Sequence, residues 1–476
     1  MIRNWNRCRL LLLGMIVVLL GGCTMAPKYT RPASPVPDGW PAGTAYQGAK
    51  PASTVPAAEL PWREFIPEER LQKVIETALN NNRDLRLAAL NVERARALYR
   101  VQRDELLPSF QGVGSISKER VPGDLSSSGH AVTQEQYSVN FGISSWEVDF
   151  FGRIRSLKDQ ALEKYLATDQ ARRNAQILLV SEVANTWFTL AADGQNMKLS
   201  RSTFEDQQAS YNLIRKRYDV GISSELDLRR AQTQVDTARR NVAIYTQLAA
   251  QDENALNLLV GITVPAALRP SQLDGVLSPK EISPDLSSDV LLNRPDVLAA
   301  EHQLKAAHAN IGAARAAFFP RISLTTAIGT ASADLSGLFE SGQGTWLFAP
   351  QIAVPIFDAR TWSAYDVTKV EREISVAQYE QTIQAAFREV ADALAQKGTV
   401  GEQVAAQESL VEATAETYRL SDARYTQGID SYLSVLDAHR SLYSAQQELI
   451  TLHLSRLTNQ VTLYKVLGGG AMADSR

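Results

Sequence analysis

From Gln136 to Val148 the apolar side chains Tyr137, Val139, Phe141 and Ile143 alternate with Ser138, Asn140, Gly142 and Ser144. This is the two-residue period of a strand with one face buried. Ser109 to Ser117 carries the pattern more weakly, and the polar, Gly-rich stretch between the two runs predicts a hairpin loop. Later, Ile322, Leu324, Thr326 and Ile328 alternate with Ser323, Thr325 and Ala327, and Trp346, Phe348, Ile352 and Val354 alternate with Ala349, Gln351 and Ala353. Four strands of about ten residues are long enough to cross a bilayer when tilted. Elsewhere the period is helical. Glu68 to Leu107 is rich in Ala, Leu and Arg and stops at Pro108. Gly152 to Gly221 holds no Pro and a single internal Gly, Gly194, so it predicts one helix of about 65 residues, roughly 100 Å long. No compact domain needs such a helix. After Gly221, Ala231, Val235, Ala238, Val242, Tyr245 and Ala249 recur at spacings of 4, 3, 4, 3 and 4, the heptad seam of a coiled coil. Ala438, Leu442, Ala445, Leu449 and Leu452 form a second seam.

The two seams belong to an internal repeat. Arg217 to Thr233 (RYDVGISSELDLRRAQT) aligns without a gap on Arg424 to Arg440 (RYTQGIDSYLSVLDAHR), 207 residues later. Arg217, Tyr218, Gly221, Ile222, Ser224, Leu226 and Ala231 meet Arg424, Tyr425, Gly428, Ile429, Ser431, Leu433 and Ala438. Asp84 to Pro108 runs against Asp296 to Pro320 in the same way. A repeat of this length predicts two similar halves, each helix, strand, strand, long helix, Gly turn, helix. Polar residues around a Gly between Ala- and Leu-rich runs mark the tip of a helical hairpin, where one helix ends at a left-handed glycine.

Composition adds a compartment. Arg3, Arg7 and Arg9 precede an apolar run from Leu10 to Leu20 and then Gly21-Gly22-Cys23, the order of a secretory signal and too short a run for a spanning helix. The Leu, two small residues and Cys resemble the bacterial lipobox, which implies cleavage before Cys23 and an acyl anchor on it, and Thr24 in the next position resembles lipoproteins sent to the outer membrane. The other cysteine, Cys8, leaves with the signal, so no internal disulfide is expected in an exported chain. Loss of the three signal arginines takes the formal charge from −3 to −6. A mildly acidic chain without a basic tract gives no electrostatic case for nucleic acid. Ala26 to Pro61 carries eight prolines, and such a segment cannot propagate a helix. It predicts either an extended arm laid over a larger body or a disordered segment.

Little in the chain suggests bond chemistry. None of His130, His302, His308, His439 and His453 has a partner at the i, i+4 spacing of a helical metal site. Gly468-Gly469-Gly470 lacks the Lys-Ser/Thr of a phosphate loop and reads as a frayed helix end. No nucleophile cluster and no nucleotide motif is visible, so no enzyme, metal or cofactor is expected beyond the lipid on Cys23. Trp146, Phe150, Trp346 and Phe348 are candidate interfacial anchors.

Four strands cannot close a barrel, and strands within hydrocarbon must leave no backbone group unpaired, so the chain is expected to assemble symmetrically. At this point LLGGCTMAPKY, NNRDLRLAALNVERARALYR, WEVDFFGRIRSLKDQALEKYLAT, LNRPDVLAAEHQLKAAHANIGAARAAFFPRISL and RYTQGIDSYLSVLDAHRSLYSAQQELI carry a family likeness. The chain resembles the outer membrane factors of Gram-negative bacteria, the TolC superfamily, in particular the lipoprotein branch typified by OprM. The resemblance runs from Cys23 to Gly468. It implies a mostly α chain with a membrane β-barrel: a homotrimer whose twelve-stranded β-barrel joins a twelve-helix α-barrel reaching into the periplasm. It also implies docking onto a periplasmic adaptor and an inner-membrane pump of the RND type.

By that resemblance Leu433 and Asp437 ring the pore at the periplasmic end. Tyr425 and Asp227 tie neighbouring hairpins together through hydrogen bonds and salt links, and Arg440, three residues after Asp437, is near enough to pair with it. The chain departs from the TolC pattern at Asp430 and Ser434, so that protein's latch wiring is not carried over. Only the second tip has this set, since the first has Leu226, Arg230 and Thr233 in place of Leu433, Asp437 and Arg440.

The expected organisation is a signal over 1–22, a lipidated Pro-rich arm over 23–67 and a first repeat over 68–262. Within that repeat the strands lie near 109–118 and 136–150 and the tip near 217–227. An equatorial linker follows over 263–288, then a second repeat over 289–468 with strands near 321–331 and 346–357 and a tip near 424–437, and a tail over 469–476. The expected function is a passive exit duct in the outer membrane for antimicrobials and other small toxic compounds. The alternatives are a structural lipoprotein whose coiled coils bridge envelope layers, and the outer component of a metal-efflux or protein-secretion system. Only Met25, Met197 and Met472 remain after signal removal, which gives no Met-rich copper path.

Overall fold

The computed structural model describes residues 24–47, 57–282 and 287–471; Cys23 and the signal lie outside the described residues. The elements in chain order are α1 (Glu69–Asn81), α2 (Arg83–Asp104), β1 (Phe110–Val121), β2 (Val132–Glu147), α3 (Arg153–Asp219) and α4 (Glu225–Val260). They continue with α5 (Pro295–Ala316), β3 (Arg321–Ser332), β4 (Gly344–Ala353), α6 (Ala359–Thr426) and α7 (Tyr432–Val466). Helices α3 and α6 run unbroken for 67 and 68 residues, the first as the missing prolines predict and the second as the internal repeat predicts. The chain divides into two compact units, one of residues up to Pro32 with 92–168 and 300–379, the other of 33–91, 169–299 and 380–476.

The first unit is built on one antiparallel sheet of order β1-β2-β3-β4. Its register puts Phe110 and Ile116 of β1, Val139, Phe141 and Ile143 of β2, Ile322 and Ile328 of β3, and Trp346, Phe348 and Ile352 of β4 on one face. Ser115, Ser138, Asn140, Thr325, Thr345 and Gln351 occupy the other. The apolar face is open: Trp346 is 80% and Ile328 67% exposed. The polar face is tied across strands by Ser115 to Ser138 at 2.8 Å, and along β2 Asn140 donates to Ser138 at 3.2 Å. That face is concave, because a Cβ on Gly142 would lie 1.9 Å from the Thr326 carbonyl oxygen and one on Gly329 2.1 Å from that of Val139.

Strand bounds differ from expectation: β1 runs on to Val121, β2 begins at Val132 and β4 at Gly344, and two ends fall short. β2 stops at Glu147 rather than running to residue 150, since Asp149 turns away to accept from the Ile154 and Arg155 amides and start α3. β4 ends at Ala353, before Pro355. Pro350 lies inside β4, which is permissible because β4 is a sheet edge. Near the strand ends, Glu147 accepts from Arg153 at 2.8 and 2.9 Å and from Arg321 at 2.5 Å. In the same unit α5 packs between α3 and α6, with His302 Nδ1 2.6 Å from Glu163, Asn310 donating to Glu371 at 3.3 Å, and Phe318 edge-on to Trp362. The arm lies on α5: Tyr29 donates to Glu301 at 3.1 Å, and Arg31 gives the same carboxylate two hydrogen bonds of 3.1 and 2.6 Å.

The second unit holds the main core, with Trp187, Phe188, Phe65, Leu71, Ile75, Leu256 and Tyr464 fully buried. Phe65 stacks on Tyr464 at 4.1 Å. The expected arm boundary at residue 67 is therefore too late, because Ala57 and Phe65 are core residues. The Gly468–Gly470 end is not frayed: Gly469 packs on the Tyr464 ring, and the Gly470 amide donates to Ala57 at 3.0 Å. Buried Arg294 fixes the start of α5 by bonding Asp296 at 2.6 and 3.0 Å, Glu389 at 2.9 Å and the Val466 carbonyl at 2.7 Å. The arm's later part crosses this unit, where Ser288 Oγ donates to the Pro37 carbonyl at 2.6 Å and Trp40 stacks on Phe387. Among the described residues no helix is long and apolar enough to cross a membrane.

Candidate functional site

Both hairpin tips are built by the same backbone rule. Gly221 and Gly428 sit at φ 75° and 76°, a left-handed position that costs a non-glycine residue roughly 1–2 kcal/mol. Each is followed by the paired bonds of a Schellman turn, Ile222 to Arg217 at 2.8 Å and Gly221 to Tyr218 at 2.9 Å, then Ile429 to Arg424 and Gly428 to Tyr425 at 2.9 Å. The next helices begin at Ser224 and Ser431. Ser224 caps α4 by accepting from the Asp227 amide at 3.1 Å, and its hydroxyl donates to the Asp227 carboxylate at 2.7 Å. Ser431 makes no such side-chain cap.

The two tips meet in an apolar cluster. Ile214, Ala231, Tyr432, Val435 and Leu436 are buried together, with Tyr211, Leu228, Tyr418 and Tyr425 packed around them. Tyr425 joins the hairpins directly, since its ring lies 5.3 Å from that of Tyr432 and the Arg217 guanidinium sits 5.4 Å over it. Burial, reinforced by Tyr425, Tyr418 and Asp227, pushes the Tyr432 hydroxyl well above its ordinary range, so it stays neutral. Burial also lowers His439, which stands edge-on to Tyr418 at 5.1 Å. At the second tip Arg424 grips Asp430 through bonds of 2.6 and 3.0 Å and holds that carboxyl below its usual range.

Leu433, Asp437 and Arg440 lie along one side of α7, and Leu433 is 41% exposed. Asp437 is ion-paired with Arg440, one turn on. Tyr425 sits apart from them, inside the cluster. Asp227 bonds Ser224 and pairs with Arg230 of its own hairpin, the latter at 3.9 Å, and its charge reaches Tyr432 at the start of α7. Sequence reasoning missed the Arg424–Asp430 clasp and the Arg217–Tyr425 contact. One signal was available, because the residue equivalent to Asp430 in the first tip is Ser223. Without a carboxylate there, Arg217 turns to an aromatic face instead. Of the two seams, Ala231, Val235, Ala238, Ala438 and Ala445 are buried, but beyond Ala445 the buried line on α7 shifts from Leu449 and Leu452 to Ile450 and Leu457. Among the described residues no group of three His, Cys, Asp or Glu could hold a metal ion.

Comparison with known proteins bears on this geometry. The family described as outer membrane efflux protein matches residues 74–262 and 286–469. The antibiotic efflux pump outer membrane protein ArpC of Pseudomonas putida is 50% identical over 463 residues, covering 97% of this chain and 95% of the relative. The toluene efflux pump outer membrane protein TtgC, also of Pseudomonas putida, has the same identity and coverage. The open state of the Neisseria gonorrhoeae MtrE outer membrane channel superposes with a TM-score of 0.85 at 35% identity, covering 95% of this chain and all of that one.

Proposed function

The chain belongs to the outer membrane efflux protein family, and from that premise we propose how it assembles, gates and is anchored. It is an outer membrane efflux channel that works with an adaptor and an inner-membrane pump. Three copies bring their sheets together as a twelve-stranded barrel, and their long helices pack as a twelve-helix barrel. The observation that carries this reading is the sheet itself. Its concave face is polar, its convex face is apolar and exposed, and β1 and β4 are open edges. A lipid-facing sheet cannot leave an edge unpaired, so β4 of one copy pairs with β1 of the next until the ring closes.

In this reading Leu433 and Asp437 of three copies ring the periplasmic entrance, with Arg440 offsetting the charge of Asp437 while the pore is narrow. Tyr425 and Asp227 take part in holding neighbouring hairpins. Cys23 carries the lipid anchor, and the pump is of the RND type. The cargo is antimicrobials and other small toxic compounds; the names of the antibiotic and toluene efflux relatives support that class. No bond chemistry is assigned to the chain. Reconstitution of the purified protein in planar bilayers tests the reading: discrete conductance steps are expected, and a protein that never conducts, with Asp437 intact or replaced by alanine, would sink it.

A further inference from the structure

The convex face of the sheet carries its apolar side chains up to the rung where Ile116 pairs with Tyr137 and Tyr137 with Ser332. At the helix end the band begins with the pair Ile322 and Ile352. From Ile322 to Ser332 is ten residues of β3. At about 3.3 Å per residue and a tilt of about 40°, these make a band about 25 Å tall, the hydrocarbon height of an outer-membrane barrel. One rung further the register turns two cations to the same face. Lys118 and Arg120 continue the parity of Phe110 and Ile116 without a bulge, on the side that meets lipid in the proposed assembly. A cation on that side costs least at the interface, the level at which lipid head groups lie.

The two cations are held differently. Lys118 Nζ lies 2.9 Å from Glu135, directly across the strands, and the Tyr137 hydroxyl donates to the same carboxylate at 3.0 Å. This fixes the ammonium on the face and still leaves it donors to spare, since it has three. Arg120 is exposed, lies opposite the uncharged Thr133 and forms no ion pair among the described residues. Its planar fork is the group that phosphate oxygens accept two at a time. Glu119 belongs to the opposite face. The second hairpin supplies a contrast. Extending the repeat of Asp84 to Pro108 on Asp296 to Pro320 puts Thr330 and Ser332 where the first hairpin has Lys118 and Arg120. They stand on the same convex face and bring no charge. Strand pairing at this height therefore does not require cations.

We propose that Lys118 and Arg120, at the rim of the first hairpin's convex face, bind the phosphate of an anionic lipid in the leaflet farther from the helices. The proposal rests on the reading that this face meets lipid.

The test uses the full-length purified protein in detergent, with phosphatidic acid as the probe and phosphatidylcholine and inorganic phosphate as controls. Native mass measurement is expected to find phosphatidic acid retained on the parent and phosphatidylcholine lost. Arg120→Ser, which leaves the Lys118–Glu135 pair intact, is expected to weaken retention about fivefold. Lys118→Thr combined with Arg120→Ser, which copies the second hairpin, is expected to weaken it about thirtyfold. Glu135→Gln removes the facing carboxylate and is expected to strengthen retention severalfold; unchanged retention there would reduce Lys118 to a strand-pairing residue and overturn its share of the site. Equal retention of phosphatidic acid by the parent and the double variant overturns the proposal. So does displacement of the lipid by excess inorganic phosphate, which would mean a site for the free anion. Conductance in planar bilayers reports the channel reading separately: a parent and double variant that both conduct and retain lipid equally lose the site and keep the channel.

Discussion

Single side chains set the charge of the narrow end. Asp437 is half-exposed and balanced by Arg440, so removing the acid alone leaves an unopposed cation and changes both the size and the selectivity of any ring it forms. Asp437→Ala is expected to raise single-channel conductance severalfold and to reduce cation preference in planar bilayers; unchanged values with an equally tight resting state would remove Asp437 from the gate. Glu301 makes a different kind of prediction. Burial pushes its carboxyl up, but hydrogen bonds from Arg31 and Lys305 outweigh that and hold it below the usual carboxylate range. A depressed acid contributes stability above its unfolded value, about 4.3, and that contribution is lost as pH falls through the lower folded value. The arm is therefore expected to loosen from α5 only in strong acid. Glu301→Gln should loosen it at neutral pH at a cost of about 1–3 kcal/mol. Limited proteolysis within residues 24–47 reads the difference, and equal protection in both proteins would remove the clamp.

Elements were legible in the sequence where one local rule decides them. The absence of proline gave α3, the glycines gave both tips, and alternation gave four strands. Ends were less legible, because they depend on competing partners. β2 stops where Asp149 finds two amides, and the Gly468–Gly470 tail is ordered by Tyr464 and Ala57, a pairing that no local pattern announces. Sheet curvature was also invisible, although the glycines that permit it were in view. Gly142→Val would drive its Cβ into the Thr326 backbone, an overlap that cannot relax and costs about 3 kcal/mol or more. Gly114→Val meets nothing within 4 Å. The first variant is expected to fall at least tenfold in the outer membrane fraction by immunoblot while the second stays near the parent level. Similar losses for both would refute the concave packing.

For the whole molecule, the open edges of the sheet and its exposed apolar face make a lone copy unsuited to lipid. Native mass measurement in detergent is expected to return three copies, and a stable monomer that still conducts would overturn the assembly. The sequence by itself determined the elements and their order, because period, proline and glycine act over a few residues at a time and the internal repeat copies them; the candidate gate residues came from the family resemblance. Only the tertiary structure decided which side chains meet: Arg217 over Tyr425, Arg424 on Asp430 and Arg31 on Glu301. Such pairings depend on how helices, turns and arm pack against one another, and no local period encodes that. At the second tip, the segment from Arg424 to Arg440 was readable as a turn. Its clasp and its aromatic joint were not.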